Sequence, residues 1–349
     1  MSRQDVPHAD LQPPLAGEGN PEPIVSVVVP TYNRSQSMQR LLHVLGAQTL
    51  PVDRFEVVVV DDGSTDGTPE VLRRSAAALP YRLRVFEQQH GGPALARNLG
   101  VAQARGRLIV FVDDDVVPAA DLLATHVATH ESEPDAVVIG PMSPPYDMPR
   151  PAWIRWEEKQ LLAQYESMIA GLWACTARQF YTGNASLPRD RFLRAGGFDA
   201  HFKRAEDVEL AYRLHNAGAR FIFNHRAVVL HYAARSFEAW CQTPYQYGRY
   251  DVVMERDKGH ESLQQATREY HYRHPLSRLL TRFCVGRRVP LALTVLALRL
   301  VTLVADWVGA RWVTSISLSA IFSLRYWQGV CDELGGPGPV WRLVAAARR

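Results

Sequence analysis

The first third of the chain alternates between short, mostly apolar runs and longer amphipathic stretches. The apolar runs lie at 24–30, 55–60, 83–87 and 108–112. Runs of this length are typical of strands that are buried on both faces. The stretches between them predict helices, the first of which presents Met38, Leu41, Leu42 and Leu45 on one apolar face. The resulting β-α-β-α-β-α-β order predicts a parallel sheet covered by helices on both faces.

Two of these helices have readable limits, and the second half of the chain is less regular. Thr68 followed by Pro69 predicts a helix N-cap at Thr68 and a helix that ends near residue 78, and the next helix is predicted over 94–104. The five prolines within 141–151 predict a loop. Strands are predicted at 137–139, 221–223 and 227–230, and helices at 156–172, 206–216 and 236–257.

Acidic residues follow two of the predicted strands, and a third acidic pair opens a later helix. Asp61 and Asp62 end the run at 55–60, three aspartates at 113–115 end the run at 108–112, and Glu206 and Asp207 begin the helix at 206–216. Ligands of open α/β sheets bind outside the carboxyl ends of the strands. Three such clusters suggest a divalent cation, a diphosphate and a general base in one site. That combination is the chemistry of sugar transfer from a nucleotide donor.

The aspartate triplet is the candidate metal site. Asp113 and Asp115 are two residues apart at a strand end, so both carboxylates can turn toward one ion. Mg²⁺ or Mn²⁺ takes hard oxygen ligands and binds through one or two carboxylates together with substrate phosphates. The alternative is a solvated acidic turn, which the apolar residues on both sides of the triplet disfavour.

The other candidates each have a functional and a structural interpretation. Asp61 and Asp62 offer acceptors to ribose hydroxyls and to a base; one of them could also, or instead, make an Asx turn with Gly63 and Ser64. Arg97 could meet the base or a phosphate, or it could pair with a surface carboxylate. Asp207 is the candidate general base, because the helix dipole favours its ionised form, although Glu206 and Asp207 could serve the dipole alone. His231 is a metal or phosphate ligand or a structural histidine.

Five aromatic residues between the second and third acidic clusters could stack on an acceptor sugar or pack in a core. They are Trp153, Trp156, Tyr165, Trp173 and Tyr181.

Taken together, the motifs resemble family 2 inverting glycosyltransferases of the GT-A fold, in order and spacing, over residues 24–235. The matching segments are 27–34 (VVVPTYNR), 60–68 (VDDGSTDGT), 96–98 (ARN) with Gly100, 111–115 (FVDDD), 182–184 (TGN), 196–199 (GGFD), 206–210 (EDVEL) and 213–214 (RL). The resemblance implies an α/β, GT-A (Rossmann-like) nucleotide-sugar-binding domain with a mainly parallel sheet. A C-terminal helical, membrane-associated segment would follow that domain.

The resemblance also implies roles at the matching positions. Thr31 and Tyr32 would line the nucleoside pocket, Asp62 would read the base with support from Arg97, and Asp207 would deprotonate the acceptor hydroxyl. The full donor-binding set would be Pro30, Thr31, Tyr32, Asn33, Asp62, Arg97, Asp113 and Asp114. The metal ligands would be Asp115 and His231, and the acceptor-side candidates are Asn184, Glu206 and Trp156. Relatives often have a small residue in place of Asp114, so its part in metal binding is open.

These implications give expected partners and domain limits. The donor would be a UDP-sugar, with dTDP- and GDP-sugars as alternatives, and the acceptor would be a glycan or a lipid-linked molecule. We expect a disordered lead-in over 1–23 and a catalytic domain over 24–235, with a nucleotide-binding half at 24–118 and an acceptor half at 119–235. A helical extension over 236–270 and a basic, apolar, membrane-associated tail over 271–349 would follow.

Charge is distributed unevenly along the chain. Residues 271–349 contain 11 Arg, no Lys and 3 acidic residues, a net charge of +8, whereas the other residues have 28 basic and 33 acidic side chains, a net charge of −5. A basic, apolar tail favours peripheral contact with an anionic membrane, with a solvated helical cap as the alternative. The net charge of +3 for the whole chain is too small to indicate nucleic-acid binding.

The tail does not read as a secure membrane span. Arg299 and Asp306 interrupt the apolar run at 289–308, and the run at 312–324 is short. Trp and Arg residues favour helices that lie in the interface, with a re-entrant hairpin as the alternative. The lead-in has no apolar run, and the four cysteines have no zinc-like spacing. We therefore expect reduced thiols and a cytoplasmic protein at the inner face of the cell membrane.

Two other classes of protein remain as alternatives. A sugar nucleotidyltransferase would need a Gly-rich phosphate loop with a Lys near the N-terminus, and residues 31–34 do not supply one. A nucleotide-sugar or glycan-binding protein without turnover would have lost its catalytic groups, whereas Asp115 and Asp207 are present.

Overall fold

The computed structural model describes residues 22–347, which divide into two compact units. The α/β unit contains residues 22–143 and 174–232, and the helical unit contains residues 144–173 and 233–347. The expected disordered lead-in over 1–23 falls, apart from its last two residues, outside the described residues. Residues 144–173, which we expected in the acceptor half, are grouped with the C-terminal helices.

The α/β unit contains all ten described strands and six of the helices. The strands are β1 (Val25–Thr31), β2 (Phe55–Asp61), β3 (Arg82–Glu87), β4 (Leu108–Val112), β5 (Val116–Pro118), β6 (Val137–Ile139), β7 (Met142–Ser143), β8 (Asn184–Pro188), β9 (Phe221–Phe223) and β10 (Val229–His231). The helices are α1 (Ser35–Leu45), α2 (Thr68–Ala78), α3 (Pro93–Gln103), α4 (Leu122–Ser132), α6 (Arg189–Arg194) and α7 (Glu206–Asn216), with a 3₁₀ turn at Ala177–Gln179.

The helical unit is built from the remaining helices, and the described part of it contains no strand. They are α5 (Ala152–Ile169), α8 (Phe237–Lys258), α9 (Ser262–Tyr272), α10 (Pro275–Cys284), α11 (Arg288–Trp307), α12 (Arg311–Glu333) and α13 (Pro337–Ala346).

The main sheet has seven strands in the order β3-β2-β1-β4-β8-β6-β9. Strands β3, β2, β1 and β4 run parallel, β8 is antiparallel to both β4 and β6, and β9 is parallel to β6. The prediction of a parallel sheet from the first four strands is therefore confirmed. A small second sheet, in the order β5-β10-β7, carries His231 as the last residue of β10.

Several elements were absent from the predictions because their sequences lack a strong period. β8 reads Asn-Ala-Ser-Leu-Pro, and its polar Asn184 and Ser186 are nevertheless fully buried. α4 contains two histidines on its inward side, which breaks the apolar face expected of a helix.

The predicted N-cap at Thr68 is wrong, because α2 begins at Thr68 and Gly67 takes the cap position. The Thr68 hydroxyl instead accepts a hydrogen bond from the Arg34 backbone N–H at 2.9 Å.

The core of the α/β unit fastens α7 to the sheet. Phe111 of β4 packs against Phe192 and Phe198, with ring centroids 5.3–5.6 Å apart among the three. Leu210 and Leu214 of α7 belong to the same buried cluster. Burying side chains of this size stabilises the unit by roughly 1.5–3 kcal/mol each. This packing holds the N-terminus of α7, with its acidic pair, in a fixed position in the unit.

The cysteines are free thiols. Cys241, Cys284 and Cys331 are buried and Cys175 is partly buried, so the prediction of reduced, mostly buried thiols is confirmed for all four.

One helix of the tail, α11, has the same length as the apolar run at 289–308 and is continuous through its charged residues. Among the described residues, α11 alone is long and apolar enough, by length and composition, to cross a membrane. Arg299 and Asp306, which interrupt the apolar run in the sequence, lie within this helix. The shorter apolar run at 312–324 is part of α12, which extends to Glu333.

The helical unit is organised around a close crossing of α8 and α12. A Cβ atom built on Gly248 would lie 2.0 Å from the Tyr326 carbonyl oxygen, and one built on Gly329 would lie 2.0 Å from the Tyr245 carbonyl oxygen. The two backbones are therefore in direct contact, as small-residue crossings permit. Neither oxygen belongs to a side chain that could rotate away.

We expect Gly248→Ala or Gly329→Ala to destabilise the helical unit by about 1–3 kcal/mol or more, because the added methyl overlaps a backbone carbonyl. Urea unfolding followed by circular dichroism would measure the loss. The matched control is Gly338→Ala in α13, where a Cβ atom meets nothing nearer than 3.7 Å. Equal stability of Gly248→Ala and the control would contradict this packing.

Candidate active site

Three neighbouring strands end at the same edge of the sheet and deliver the predicted residues there. Thr31 ends β1, Asp61 ends β2, and the aspartate triplet follows β4. The Thr31 hydroxyl donates to Asp114 Oδ2 at 2.8 Å and so ties the end of β1 to the triplet. Burial raises the pKa of Asp114 to about 7, and the charges of Asp115 and Asp113 add to the rise while the Thr31 bond opposes it. The sequence placed these residues at one edge correctly.

Asp62 is engaged by the backbone of the loop that follows β3. Its carboxylate accepts the N–H groups of Gly91 and Gly92, each at 2.8 Å, and the Gln88 side-chain amide at 2.6 Å. The predicted turn, for which both Asp61 and Asp62 were candidates, is made by Asp61, whose Oδ1 accepts the Ser64 N–H at 2.9 Å. Asp62, the predicted base-reading residue, therefore holds the 88–92 loop in its conformation.

Two aromatic rings border this loop and remain accessible. Tyr32 stacks on His90 with ring centroids 4.2 Å apart and an interplanar angle of 28°. His90 Nδ1 also lies 2.9 Å from Asp62 Oδ2. His90 was not predicted as a site residue, because it belongs to no motif. The pair forms a flat, exposed surface beside the strand ends.

Asn33 and Pro30 have mainly structural contacts. Asn33 adopts a left-handed conformation with φ of 53°, and its side-chain oxygen accepts the Thr65 N–H at 2.8 Å. Its own N–H donates to the Ser64 hydroxyl at 2.8 Å, which joins the turns after β1 and β2. Pro30 pairs in register with Val60 of β2. These contacts of both residues shape the edge.

Arg97 of α3 connects the end of β4 to the start of α7. Its Nη2 lies 2.7 Å from Asp113 Oδ1 and its Nη1 lies 3.1 Å from Glu206 Oε1. Burial opposes the charged form, but Asp113, Glu206 and Asp207 together outweigh it and raise the pKa of Arg97. We expected Arg97 to support the base, and in the structure both of its terminal nitrogens bind carboxylates. Glu206, an acceptor-side candidate, is almost fully buried as its partner.

Asp207 lies in the first turn of α7. The residue before this helix, Ala205, has a left-handed conformation with φ of 60°. Burial, followed by repulsion from Glu206, raises the pKa of Asp207 to about 7. Arg97 and the Val208 N–H, which donates to Asp207 Oδ1 at 2.8 Å, oppose this rise. The helix dipole was expected to favour the ionised form, and burial outweighs it. A carboxylate with a pKa near neutrality suits a general base.

Asp115 and His231 face each other from β10 and the segment after β4. His231 Nε2 lies 3.5 Å from Asp115 Oδ1, and the Asp115 carbonyl accepts the Tyr232 N–H at 2.9 Å. Burial raises the pKa of Asp115, but the hydrogen bond and charge of His231, with the charge of Arg34, outweigh it, so the pKa lies below its ordinary value. No group of three or more His, Cys, Asp or Glu side chains within 22–347 could hold a metal.

Two acceptor-side candidates have other surroundings. Asn184 is fully buried, and its amide donates to the carbonyls of Ala227 at 2.7 Å and Pro141 at 3.1 Å. Its oxygen faces His126 Nε2 at 3.1 Å, so no polar atom of Asn184 is left for a sugar. Trp156 belongs to the helical unit, where it packs edge-on against Trp240 at 5.9 Å. The contacts of both side chains are structural, and their acceptor roles stay predictions.

The comparison with known families decides what this edge belongs to. Residues 26–193, which contain the strand ends and the aspartate triplet, match the family model described as glycosyl transferase family 2. Residues 26–193 belong to that family. The later acidic pair of α7 follows the matched segment in the chain.

Relatives of the family 2 domain include enzymes from bacteria and archaea. Validoxylamine A glucosyltransferase of Streptomyces hygroscopicus subsp. limoneus is 34% identical over 236 residues, which are 59% of this chain and 51% of that protein. Glycosyltransferase AglE of Haloferax volcanii is 29% identical over 227 residues, which are 65% of this chain and 72% of that protein. The chain spans about half the length of the validoxylamine glucosyltransferases that it matches.

Solved structures share the fold of the family 2 domain. The mannosyltransferase PcManGT of Pyrobaculum calidifontis, in complex with GDP-Man and Mn²⁺, superposes with a TM-score of 0.59 at 23% identity over 86% of each chain. Staphylococcus aureus TarS 1–349 in complex with UDP gives a TM-score of 0.54 at 20% identity, over 87% of this chain and 90% of that chain. At these identities the likeness shows the fold: an α/β GT-A-like fold with a mostly parallel sheet and C-terminal helices.

The raised pKa of Asp207 predicts a specific pH dependence of stability. An acid whose pKa is higher in the folded protein than in the unfolded chain contributes stability below the unfolded value, and that contribution is lost as pH rises through the folded value. The relevant window runs from the ordinary value of 3.8 to about 7. We expect Asp207→Asn to be more stable than wild type above pH 7, by about 1–4 kcal/mol, and the two to converge below pH ~4.

Chemical unfolding at several pH values would measure this difference. The control is Asp190→Asn, an exposed aspartate in the first turn of α6, which should leave the pH dependence unchanged. A constant offset between Asp207→Asn and wild type at every pH would show that burial does not control this carboxyl.

Proposed function

We propose that this chain is an inverting glycosyltransferase that moves a sugar from a nucleoside-diphosphate donor to an acceptor hydroxyl, with Asp207 as the general base. The observation that carries the proposal is the Arg97 bridge. It joins Asp113, at the strand edge where the family 2 motifs end, to Glu206, whose neighbour is the buried Asp207. A donor-side carboxylate and a candidate base are thereby held in one connected group.

The donor side is supported by the strand ends and by the neighbours in structure. Thr31, the exposed ring of Tyr32 and Asp113 surround the edge where ligands of such sheets bind. PcManGT is in complex with GDP-Man, and TarS is in complex with UDP or UDP-GlcNAc, so both purine and pyrimidine donors occur among proteins of this fold. A UDP-sugar is the donor we propose, and a screen must include dTDP- and GDP-sugars.

A divalent cation fits the pair of Asp115 and His231 by the chemistry of its donors. Mg²⁺ is usually held by one or two carboxylates plus substrate phosphates, so a site with few protein ligands suits it, and Mn²⁺ accepts carboxylate and imidazole ligands. PcManGT is in complex with Mn²⁺. When bound, the cation would offset the negative charge of the diphosphate leaving group. We propose Asp115 and His231 as its ligands in this chain.

The chain's own residues would carry out the proton transfer. The acceptor oxygen forms a bond to the anomeric carbon from the face opposite the leaving group while its proton passes to the Asp207 carboxylate. The bond from the anomeric carbon to the diphosphate oxygen breaks, and the nucleoside diphosphate leaves with the electron pair. A single displacement of this kind inverts the anomeric configuration. Arg97 would keep Glu206 and Asp113 in place during the reaction.

The acceptor is proposed only as a class. The matched relatives are named for different acceptors, validoxylamine A in one case and poly(ribitol-phosphate) in another. We propose a glycan or a lipid-linked acceptor, used at the cytoplasmic face of the cell membrane in polysaccharide or glycolipid synthesis. The alternative function is a nucleotide-sugar-binding protein without turnover. Such a protein would bind the donor but would not release nucleoside diphosphate.

Release of nucleoside diphosphate tests the proposal. We expect the purified chain to release it from one of the UDP-, dTDP- or GDP-sugars in the presence of Mn²⁺ or Mg²⁺, with stimulation by a membrane lipid extract. Asp207→Asn should lower the rate by about 10²-fold or more, because it removes the base, and should spare donor binding measured by calorimetry. Asp190→Asn is the matched control.

Two outcomes would contradict parts of the proposal. Full turnover by Asp207→Asn would remove Asp207 from the mechanism. Donor binding without release under every condition, with wild type equal to Asp207→Asn, would favour a binding protein.

The raised pKa of Asp207 also predicts the pH profile of turnover. Because the base must be ionised, we expect kcat/KM to rise with pH through about 7 and then to level off. Measuring kcat/KM at pH values on both sides of 7, at saturating metal, would show this rise. A flat profile from pH 5 to 8 in the wild type would indicate that proton transfer to Asp207 does not limit the reaction.

A further inference from the structure

The outer side of α11 is an uninterrupted apolar stripe. Val289, Leu293, Leu296, Leu300, Val304 and Trp307 are between 53% and 87% exposed. At 3.6 residues per turn these six side chains fall within a sector roughly 80° wide that runs the length of the helix. A stripe of exposed leucine and valine of this size is unusual on a soluble monomer and marks an interaction surface.

The charges that interrupt this segment in the sequence do not interrupt the stripe. By the same helical geometry, Arg288, Arg299 and Asp306 lie within roughly 20° of one another, on a flank roughly 110° from the centre of the stripe. Arg299 donates to Glu238 at 2.7 Å and lies 4.5 Å from the centre of the Phe237 ring. Asp306 is paired with Arg155. Two of the three charges are thus bound within the helical unit.

α10 extends the same kind of surface. Leu276, Leu279 and Phe283 are exposed on one side of this helix, at 42–66%. We call these three side chains and the six of α11 the α10–α11 face. Exposed arginines accompany it, namely Arg282, Arg287, Arg288 and Arg311. Within residues 22–347 no carboxylate forms a salt bridge with any of these four, and Trp312 next to Arg311 is 71% exposed.

We propose that the α10–α11 face lies in the headgroup–acyl boundary of a bilayer that contains anionic lipid, with α11 parallel to the membrane plane. Leu, Phe and Trp on one side and Arg beside them are the features of helices that lie in the interface. The arginines supply the charge complementarity to anionic headgroups. A second copy of the chain would instead bring the same unpaired arginines together.

Packing within the helical unit favours a helix that lies in the interface over one that crosses. The inner side of α11 is buried at Leu291, Thr302 and Ala305. Arg299 lies near the middle of the helix, so a crossing would carry the Arg299–Glu238 pair toward the bilayer centre, where charged side chains are costly. A helix lying in the interface keeps these contacts. The inference goes beyond the proposed function and does not rest on turnover.

Vesicle partitioning of the full chain tests the docking. Sedimentation with phosphatidylcholine vesicles, with and without phosphatidylglycerol, gives the partition coefficient. We expect binding that needs phosphatidylglycerol, and an at least tenfold loss for Leu296→Glu with Leu300→Glu, which corresponds to about 1.4 kcal/mol. The matched control is Val52→Glu, a 40% exposed apolar residue of the α/β unit, which should bind like wild type.

The arginines have a separate signature. Arg287→Ala with Arg288→Ala should weaken binding to phosphatidylglycerol vesicles about fivefold for each arginine at low salt. Arg73→Ala with Arg74→Ala, an exposed basic pair on α2, is the control and should have no effect. Wild-type protein that stays in the supernatant with anionic vesicles would overturn the proposal. So would a dimer in lipid-free solution that the leucine substitutions dissociate.

Depth measurements separate a lying helix from a crossing one. In a Cys175→Ser background, where the other three thiols are buried, Val289→Cys, Leu296→Cys and Trp307→Cys would each carry one fluorescent label. Quenching by spin-labelled lipids should place all three labels at the same shallow depth. A label at 296 much deeper than those at 289 and 307 would overturn the parallel orientation, and three water-exposed labels would overturn the docking.

Discussion

The site depends on one buried guanidinium among carboxylates. If Arg97 were absent, the carboxylates of Asp113, Glu206 and Asp207 would lie close together with no compensating charge, and their mutual repulsion would act to separate the elements that carry them. Arg97 binds two of them directly, and its own charge is stabilised by all three. The end of β4 and the start of α7, about a hundred residues apart in the chain, are held together by this one side chain.

The same arrangement explains why Asp207 is not simply stabilised as an anion. Arg97 is committed to Asp113 and Glu206, so it lowers the pKa of Asp207 less than burial and Glu206 raise it. The α/β unit thus leaves the pKa of Asp207 near 7, because the direct contacts of Arg97 go to Asp113 and Glu206. The predicted cost to stability at neutral pH and the proposed role of Asp207 as a base would have the same physical origin, the burial of its carboxyl.

What the sequence predicted well were features set by local pattern. Buried β-branched runs identified β1, β2 and β4, and strand ends correctly placed the aspartates at one edge. The sequence could not show which hydrogen-bond partners each side chain takes at that edge. Nothing local distinguishes Asp62, bound by the 88–92 loop, from a free base-reading carboxylate, or identifies Asn184 as a buried link between carbonyls. His90 has a position in the site only because β2 and β3 are neighbours.

The tail shows a related limit. Along the sequence Arg299 and Asp306 break an apolar run, but around the helix they lie on one flank and are bound by Glu238 and Arg155. A linear count of charges cannot distinguish these cases, because it ignores the angle at which each side chain leaves the helix.

The contact of α8 and α12 at Gly248 and Gly329 has a mechanical consequence. Helices whose backbones are in contact cannot slide or rotate past each other without collision, so the relative position of α8 and α12 is fixed. α11 in turn packs against α12. The α10–α11 face therefore belongs to a rigid group of packed helices and not to a flexible segment. A rigid unit bound to a membrane by one face can no longer tumble, and it keeps only rotation about the membrane normal and lateral diffusion. Attachment of that kind would present the same side of the helical unit to the bilayer at every encounter.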